Sequence, residues 1–162
     1  MNKAFHGFLV SALFVFMASS ALAMDAFPTA PDAALTPGAL CKNPATYRYP
    51  ENIAYCGRDV DSRQKAQIYM AYDEIGYQTR SMKRQNFKID HYFPLCMGGS
   101  NESANLWPQH KTVYTITDPL EQKICEKMSE GVLLQRDAVD IIKKAKADLS
   151  LVDGYMEYLE GL

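Results

Sequence analysis

Phe87-Lys88-Ile89-Asp90-His91-Tyr92-Phe93-Pro94-Leu95, then Gly98-Gly99-Ser100-Asn101, then Asn105-Leu106-Trp107-Pro108-Gln109-His110 is the stretch on which the reading of this chain turns. The first run is β-like and is halted by Pro94. The Gly-Gly pair signals a turn, and the segment from Asn105 to Pro108 is a second short extended piece. Around that turn stand one carboxylate, two imidazoles and one carboxamide: Asp90, His91, Asn105 and His110. A carboxylate and an imidazole together suit a divalent cation, and an imidazole titrating near neutrality is the natural base for activating water. Neighbours in a regular strand point to opposite faces, so Asp90 and His91 either sit on a bend or take different tasks, the acid on a metal and the imidazole on water. The plainer alternative is a surface ion pair or a hydrogen-bonded turn.

Working outward, Arg58 to Gly76 reads as a helix, with Asp61 and Gln64 as a capping box and Ile68, Tyr72 and Ile75 at helical spacing. Tyr77 to Lys88 is polar and carries Arg80, Lys83, Arg84 and Lys88 without an acidic residue. Downstream, a helix is expected to begin at Pro119, with Asp118 at the N-cap and Glu121 three residues on, and to end at Gly131. Another is expected from Asp137 to Leu149, with Ala138, Ile141, Ile142, Ala145 and Leu149 on one stripe, and the tail from Leu151 packs back as a short helix. The order of helix, basic loop, strand, turn, strand and helices predicts a small α+β domain.

With 162 residues the chain suits one domain, and 17 Lys and Arg against 19 Asp and Glu exclude a blanket attraction to polyanions. Any phosphate binding must be local, and DNA contacts are expected from Arg80, Lys83, Arg84 and Lys88. Lys3, the apolar run Phe8 to Met17 and the Ala21-Leu22-Ala23 exit read as a signal peptide over 1–23, so that the mature chain starts near Met24 and works in the periplasm or outside the cell, with no membrane attachment. Residues 24–40, with Pro28, Pro31 and Pro37, read as an extended leader contributing little core, which leaves 41–162 as the single domain. In an oxidising compartment Cys41, Cys56, Cys96 and Cys125 are expected as two disulfides. Three connectivities exist; Cys41–Cys56, closing a short loop, with Cys96–Cys125 is the one favoured. No Cys-x-x-Cys pair is present for a zinc site.

The string as a whole resembles the HNH endonuclease family, in an exported bacterial branch. The likeness rests on the Asp90-His91 pair, Pro94-Leu95, the Gly98-Gly99 turn, and Asn105-Leu106-Trp107-Pro108 with Asn105 fourteen residues after His91. It is strong over about 87–110 and fainter over 35–145, where Leu35-Thr36-Pro37-Gly38-Ala39 and Asp118-x-x-Glu121 before Cys125 belong to it. It implies a ββα-metal finger over about 86–130, embedded among flanking helices and binding one divalent ion. By position His91 would be the general base, Asp90 a metal ligand, and Asn105 the residue that holds the loop and His91 in orientation. The activity implied is metal-dependent hydrolysis of DNA phosphodiesters with low sequence specificity, RNA being the other candidate substrate.

One letter departs from the pattern. The position nine after Asn105 is Tyr114, a poor ligand; His110 is the nearest competent residue and Glu121 the fallback. Oxygen ligands favour Mg2+ or Mn2+, whereas two imidazoles tilt toward Zn2+ or Ni2+. Trp107 reads as a core anchor rather than a base-stacking platform. The chain is expected as a monomer, and the competing reading is an HNH scaffold that binds nucleic acid or a partner without cutting.

Overall fold

The computed structural model describes residues 25–162, so the signal-peptide reading lies outside the described residues. The fold is mixed α+β. A first hairpin pairs β1 (Thr46–Arg48) with β2 (Ile53–Tyr55), and α1 (Ser62–Glu74) follows. A second antiparallel hairpin, β3 (Phe87–His91) with β4 (Leu106–His110), runs directly into α2 (Lys111–Ser129). Two helices close the chain, α3 (Gln135–Ala147) and α4 (Val152–Glu160).

The second hairpin lies between two apolar clusters. One joins Ile68, Tyr69 and Tyr72 of α1 to Phe87, Ile89, Leu106, Trp107 and Val113. The other joins Tyr92, Phe93 and Met97 to Leu120, Ile124 and Met128 of α2 and to Ile142, Ala145 and Leu159. Trp107 is fully buried, in keeping with a core anchor. Burial of these side chains, roughly 1.5–3 kcal/mol each, is what holds a five-residue hairpin in register.

The turn between β3 and β4 is built on glycine for a steric reason. Gly98 sits at φ 83°, and a Cβ on Gly99 would run into the carbonyl oxygen of Phe93. Disulfides join Cys41 to Cys56 and Cys96 to Cys125, each with Cα atoms 5.8 Å apart. Two disulfides fit a protein of an oxidising compartment. No helix among the described residues is long and apolar enough to cross a membrane.

Two expectations need correction, and two further segments gain detail. The helix expected at Pro119 starts eight residues earlier: His110 is its N-cap, and Pro119 lies inside it. A proline there removes one N–H from the ladder, yet the buried stripe of Val113, Thr117, Leu120 and Ile124 runs through it unbroken, so packing overrides the local signal. The capping box of α1 is only half formed: Asp61 Oδ1 accepts from Gln64 N at 2.7 Å, while the Gln64 amide reaches away to the Asn101 carbonyl at 2.7 Å. The extended 24–40 leader packs on the domain at a few points. Thr36 is buried, with its Oγ1 2.8 Å from Tyr72 Oη and donating to the Leu106 carbonyl at 2.9 Å, and Phe27 stacks on His110. Finally, the Pro- and Tyr-rich segment before Cys56 holds the β1–β2 hairpin, turning through Tyr49 and Asn52 at positive φ; strands of three residues leave too short a pattern to read.

Candidate functional site

Strand alternation divides the residues of the hairpin between two sides. The register pairs Lys88 with Gln109 and Asp90 with Trp107 on one side, and Phe87 with His110, Ile89 with Pro108 and His91 with Leu106 on the other. Asp90 and His91 therefore leave β3 in opposite directions.

On the Asp90 side the partner is α2. Lys88 Nζ donates to both carboxylate oxygens of Asp118, at 2.7 and 2.8 Å, and lies 3.3 Å from Asp90 Oδ2. Gln109 Nε2 donates to Thr117 Oγ1 at 2.9 Å. Asp118 and Glu121 are three apart on the helix and share a face. Carboxylate oxygens of Asp90, Asp118 and Glu121 lie within 4.8 Å of one another. Lys146 of α3, fully buried, reaches in from behind: its Nζ donates to the carbonyls of His91 at 2.7 Å and Tyr92 at 3.2 Å. The same Nζ lies 2.7 Å from Glu121 Oε1, an ion pair by distance but without hydrogen-bond alignment.

The charges are unequal in character. Burial works against ionising Asp90, but Lys146 and Lys88 outweigh it and hold that carboxyl below its ordinary range. Burial pushes Glu121 up to about 7; Lys146 opposes the shift and the Asp90 charge adds to it. Asp90 is thus the settled anion, and Glu121 is the member that exchanges a proton near neutrality.

A hard divalent ion fits this donor set. Three carboxylates supply the oxygen ligands that Mg2+ or Mn2+ takes, and Asp90 Oδ2 is buried without a hydrogen-bond donor. Among the described residues, five buried side-chain atoms lack a hydrogen bond: Asp90 Oδ2, Gln109 Oε1 and Glu121 Oε1 on the side just described, and Tyr69 Oη and Trp107 Nε1 in the apolar cluster shared with α1. An ion there would compete with Lys88 Nζ, a half-buried side chain able to swing outward.

His91 sits in a different setting. Its Nε2 lies 3.0 Å from Asn101 Oδ1, and its Nδ1 lies 3.3 Å from Arg58 Nη1. A guanidinium can only donate, so Nδ1 is the acceptor and Nε2 carries the proton. Burial lowers the His91 pKa, the Asn101 contact opposes this, and the Arg58 charge lowers it further.

Of the remaining candidates, His110 does not join the acidic group. It caps α2, its Nδ1 2.9 Å from Thr112 Oγ1, with its ring stacked on Phe27 at 3.9 Å and edge-on to Phe87. The reason is register: an antiparallel ladder sets His110 opposite Phe87, three residues from Asp90 and on the other side of the sheet. Glu121, the fallback ligand, is the one that meets Asp90. Asn105 is wholly buried and staples the loop: Oδ1 accepts from Phe93 N at 2.9 Å, and Nδ2 donates to the carbonyls of Phe93 at 3.0 Å and Ser100 at 2.9 Å. It holds the loop; the ring of His91 is held by Asn101 and Arg58 instead.

The basic cluster does not form one patch. Lys88 turns to the carboxylates, Arg80 Nε pairs with Asp73 at 2.7 Å, the Arg84 guanidinium lies 3.7 Å over the Tyr69 ring, and Lys83 is exposed. Arg80 and Arg84 share a cavity of about 290 Å³ with Ser62, Ala66, Tyr69 and Met70.

No protein-family model, curated protein or solved structure matches this chain.

Sequence reasoning missed Arg58, Asn101 and Lys146, and read Asp118 as a cap and a part of the family likeness but not as a ligand. Asn101 stood inside the motif, and Asp118-x-x-Glu121 carried helical spacing, so both had a signal. Arg58 and Lys146 had none, because they reach the site from distant parts of the chain.

Proposed function

We propose that this chain is an exported, divalent-metal-dependent endonuclease of the HNH kind that hydrolyses DNA phosphodiester bonds with little sequence preference. The observation that carries the reading is the convergence of Asp90 with Asp118 and Glu121, Asp90 Oδ2 being buried without a hydrogen bond one residue from an oriented imidazole. The succession of β3, β4 and α2 suits a ββα finger, with α2 supplying acids where the family pattern offered His110 or Tyr114. Asp90, Asp118 and Glu121 would hold Mg2+ or Mn2+, which when bound neutralises phosphate charge and stabilises the departing oxygen. His91, neutral and protonated on Nε2, leaves β3 on the side opposite Asp90. As a base it would take the proton of an attacking water on its Nδ1 lone pair, which requires the phosphate to reach round the end of the strand and Arg58 to release that nitrogen. Arg58 covers that lone pair but is itself exposed, so an incoming phosphate is a ligand able to draw its guanidinium away. Asn105 keeps the intervening loop from relaxing. Two disulfides support action in the periplasm or outside the cell.

A second reading, a scaffold that binds nucleic acid without cutting it, draws on one specific observation. His91 is only 3% exposed, with both ring nitrogens engaged, and Lys88 and Lys146 already pair with the acids. Plasmid nicking by the purified mature chain, with Mg2+, Mn2+, Zn2+, Ni2+ or EDTA, separates the two. Nuclease function requires chelator-sensitive nicking that His91→Ala lowers by about a hundredfold or more while the fold persists. DNA binding with no nicking in any metal favours the second reading, and neither binding nor nicking sinks both.

A further inference from the structure

The contacts that orient His91 do not come from its own hairpin. Arg58 reaches Nδ1 through Nη1 and ties itself to the same strand by donating from Nη2 to the Ile89 carbonyl at 2.9 Å. Asn101 takes the Nε2 proton on Oδ1, and its own Nδ2 donates to the Gly57 carbonyl at 2.7 Å. Both arms of the clamp thus lead to one dipeptide, Gly57-Arg58. Among the described residues, the backbone of Gly57, Arg58 and Asp59 makes no backbone–backbone hydrogen bond and belongs to no strand or helix. A segment of that kind has no local reason to keep its place. Its fixed point is the residue just before it, Cys56, bonded to Cys41. Cys41 is buried and donates its N–H to the Gly98 carbonyl at 2.8 Å, while Leu40 bridges to Gly99 and the Ala39 carbonyl accepts from Ser100 N at 3.0 Å. The disulfide therefore anchors Gly57-Arg58 to the glycine turn of the hairpin that carries His91.

We propose that Cys56-Gly57-Arg58 is a disulfide-anchored strap that sets the ring orientation and tautomer of His91, with Arg58 as the positioning residue and the Cys41–Cys56 bond as its anchor. This rests on the nuclease reading only insofar as His91 serves a reaction; the positioning itself is a statement about the ring. Neither hydrophobic cluster contains Cys41, Cys56 or Arg58, so the variants below delete no side chain from them. Removing the anchor frees the strap, and a base misplaced by about 1 Å costs on the order of a hundredfold in rate.

The test uses the full mature chain in three variants: Arg58→Gln, Cys41→Ala with Cys56→Ala, and the two combined. The first readout is the 15N spectrum of the His91 ring at fixed pH, which needs no activity. The native chain is expected to show one tautomer protonated on Nε2, and each variant a mixture. The second readout is plasmid nicking, where each variant is expected to lose at least about tenfold in kcat/KM; in the cysteine variant, which keeps the Arg58 guanidinium for a phosphate, the loss is expected in kcat with KM changed far less. The combined variant is expected to lose no more than either part, because both break the same device. Arg58→Lys, which keeps a donor but not the fork to Ile89, is expected to fall between. An unchanged ring spectrum in Arg58→Gln overturns the proposal, as do losses that multiply in the combined variant. Should the cysteine variant fail to fold, Arg58→Gln and Arg58→Lys still decide. Should no variant and no native protein nick DNA, the nuclease reading fails, and the ring spectra alone support or overturn the strap.

Discussion

The two sides of the β3–β4 hairpin obey opposite rules. Toward α1, Phe87, Ile89 and Leu106 pack against Ile68, Tyr69 and Tyr72, and each imidazole on that side is held by named polar partners. Toward α2, three carboxylates and two ammonium groups crowd one layer, and buried polar atoms go without hydrogen bonds. The same strands, in the same register, build both. Asp90 Oδ2 and Glu121 Oε1 face Lys88 Nζ at 3.3 Å and Lys146 Nζ at 2.7 Å without hydrogen-bond alignment, so their charges are paired while their lone pairs are poorly used. The α1 side is architecture with the imidazole of His91 locked into it; among the described residues, the buried atoms without a hydrogen bond in its apolar cluster, Tyr69 Oη and Trp107 Nε1, belong to neutral groups. The α2 side, where two carboxylate oxygens lack one, is where we propose a cation.

The contrast can be broken from the charged side first. Lys146→Met removes the buried ammonium that joins Glu121 to the His91 and Tyr92 carbonyls, and should cost about 3–5 kcal/mol at pH 8, read from the urea midpoint. A loss below about 1 kcal/mol would mean that the charges on this side are not structurally coupled. Next in size is the pH dependence of Glu121. Its folded pKa is raised from 4.5 to about 7, so the stability it contributes is fully present below pH 4.5 and is lost as pH rises through about 7. Glu121→Gln should therefore flatten the stability profile between pH 4.5 and 7, by up to about 3 kcal/mol. Identical profiles for the two proteins would place the proton elsewhere. The smallest effect belongs to the α1 side: His110→Ala removes a helix cap and a ring stacked on Phe27, and should lower stability by about 1–2 kcal/mol with metal affinity unchanged. A tenfold drop in metal affinity would return His110 to the ligand set.

How far the sequence could be read follows from the range of the forces involved. Period-two alternation at 87–91 and the Gly-Gly turn made the hairpin visible, and helical stripes made α3 and α4 visible to within two residues of their bounds. Local rules failed where tertiary packing overrode them. Pro119 looked like a helix start and lies in mid-helix, because the buried stripe from Val113 to Ile124 dominates. Asp90 and His91 were legible as residues bearing chemistry, and their separation onto two sides was foreseeable from strand geometry. What could not be read is what meets them. Lys146 lies 55 residues from His91 in sequence and Arg58 lies 33, and nothing in either local pattern marks a long-range contact. His110 illustrates the converse: near Asp90 along the chain and chemically apt, it is carried away by the register of the ladder.

The most direct measurement is a Mn2+ titration of the mature chain followed by electron paramagnetic resonance, on the native protein and on Asp90→Asn. One bound Mn2+ per chain, lost in Asp90→Asn and retained in His110→Ala, is the expected result. Absence of binding, or binding indifferent to Asp90, would contradict the assignment of a cation to the α2 side of the hairpin.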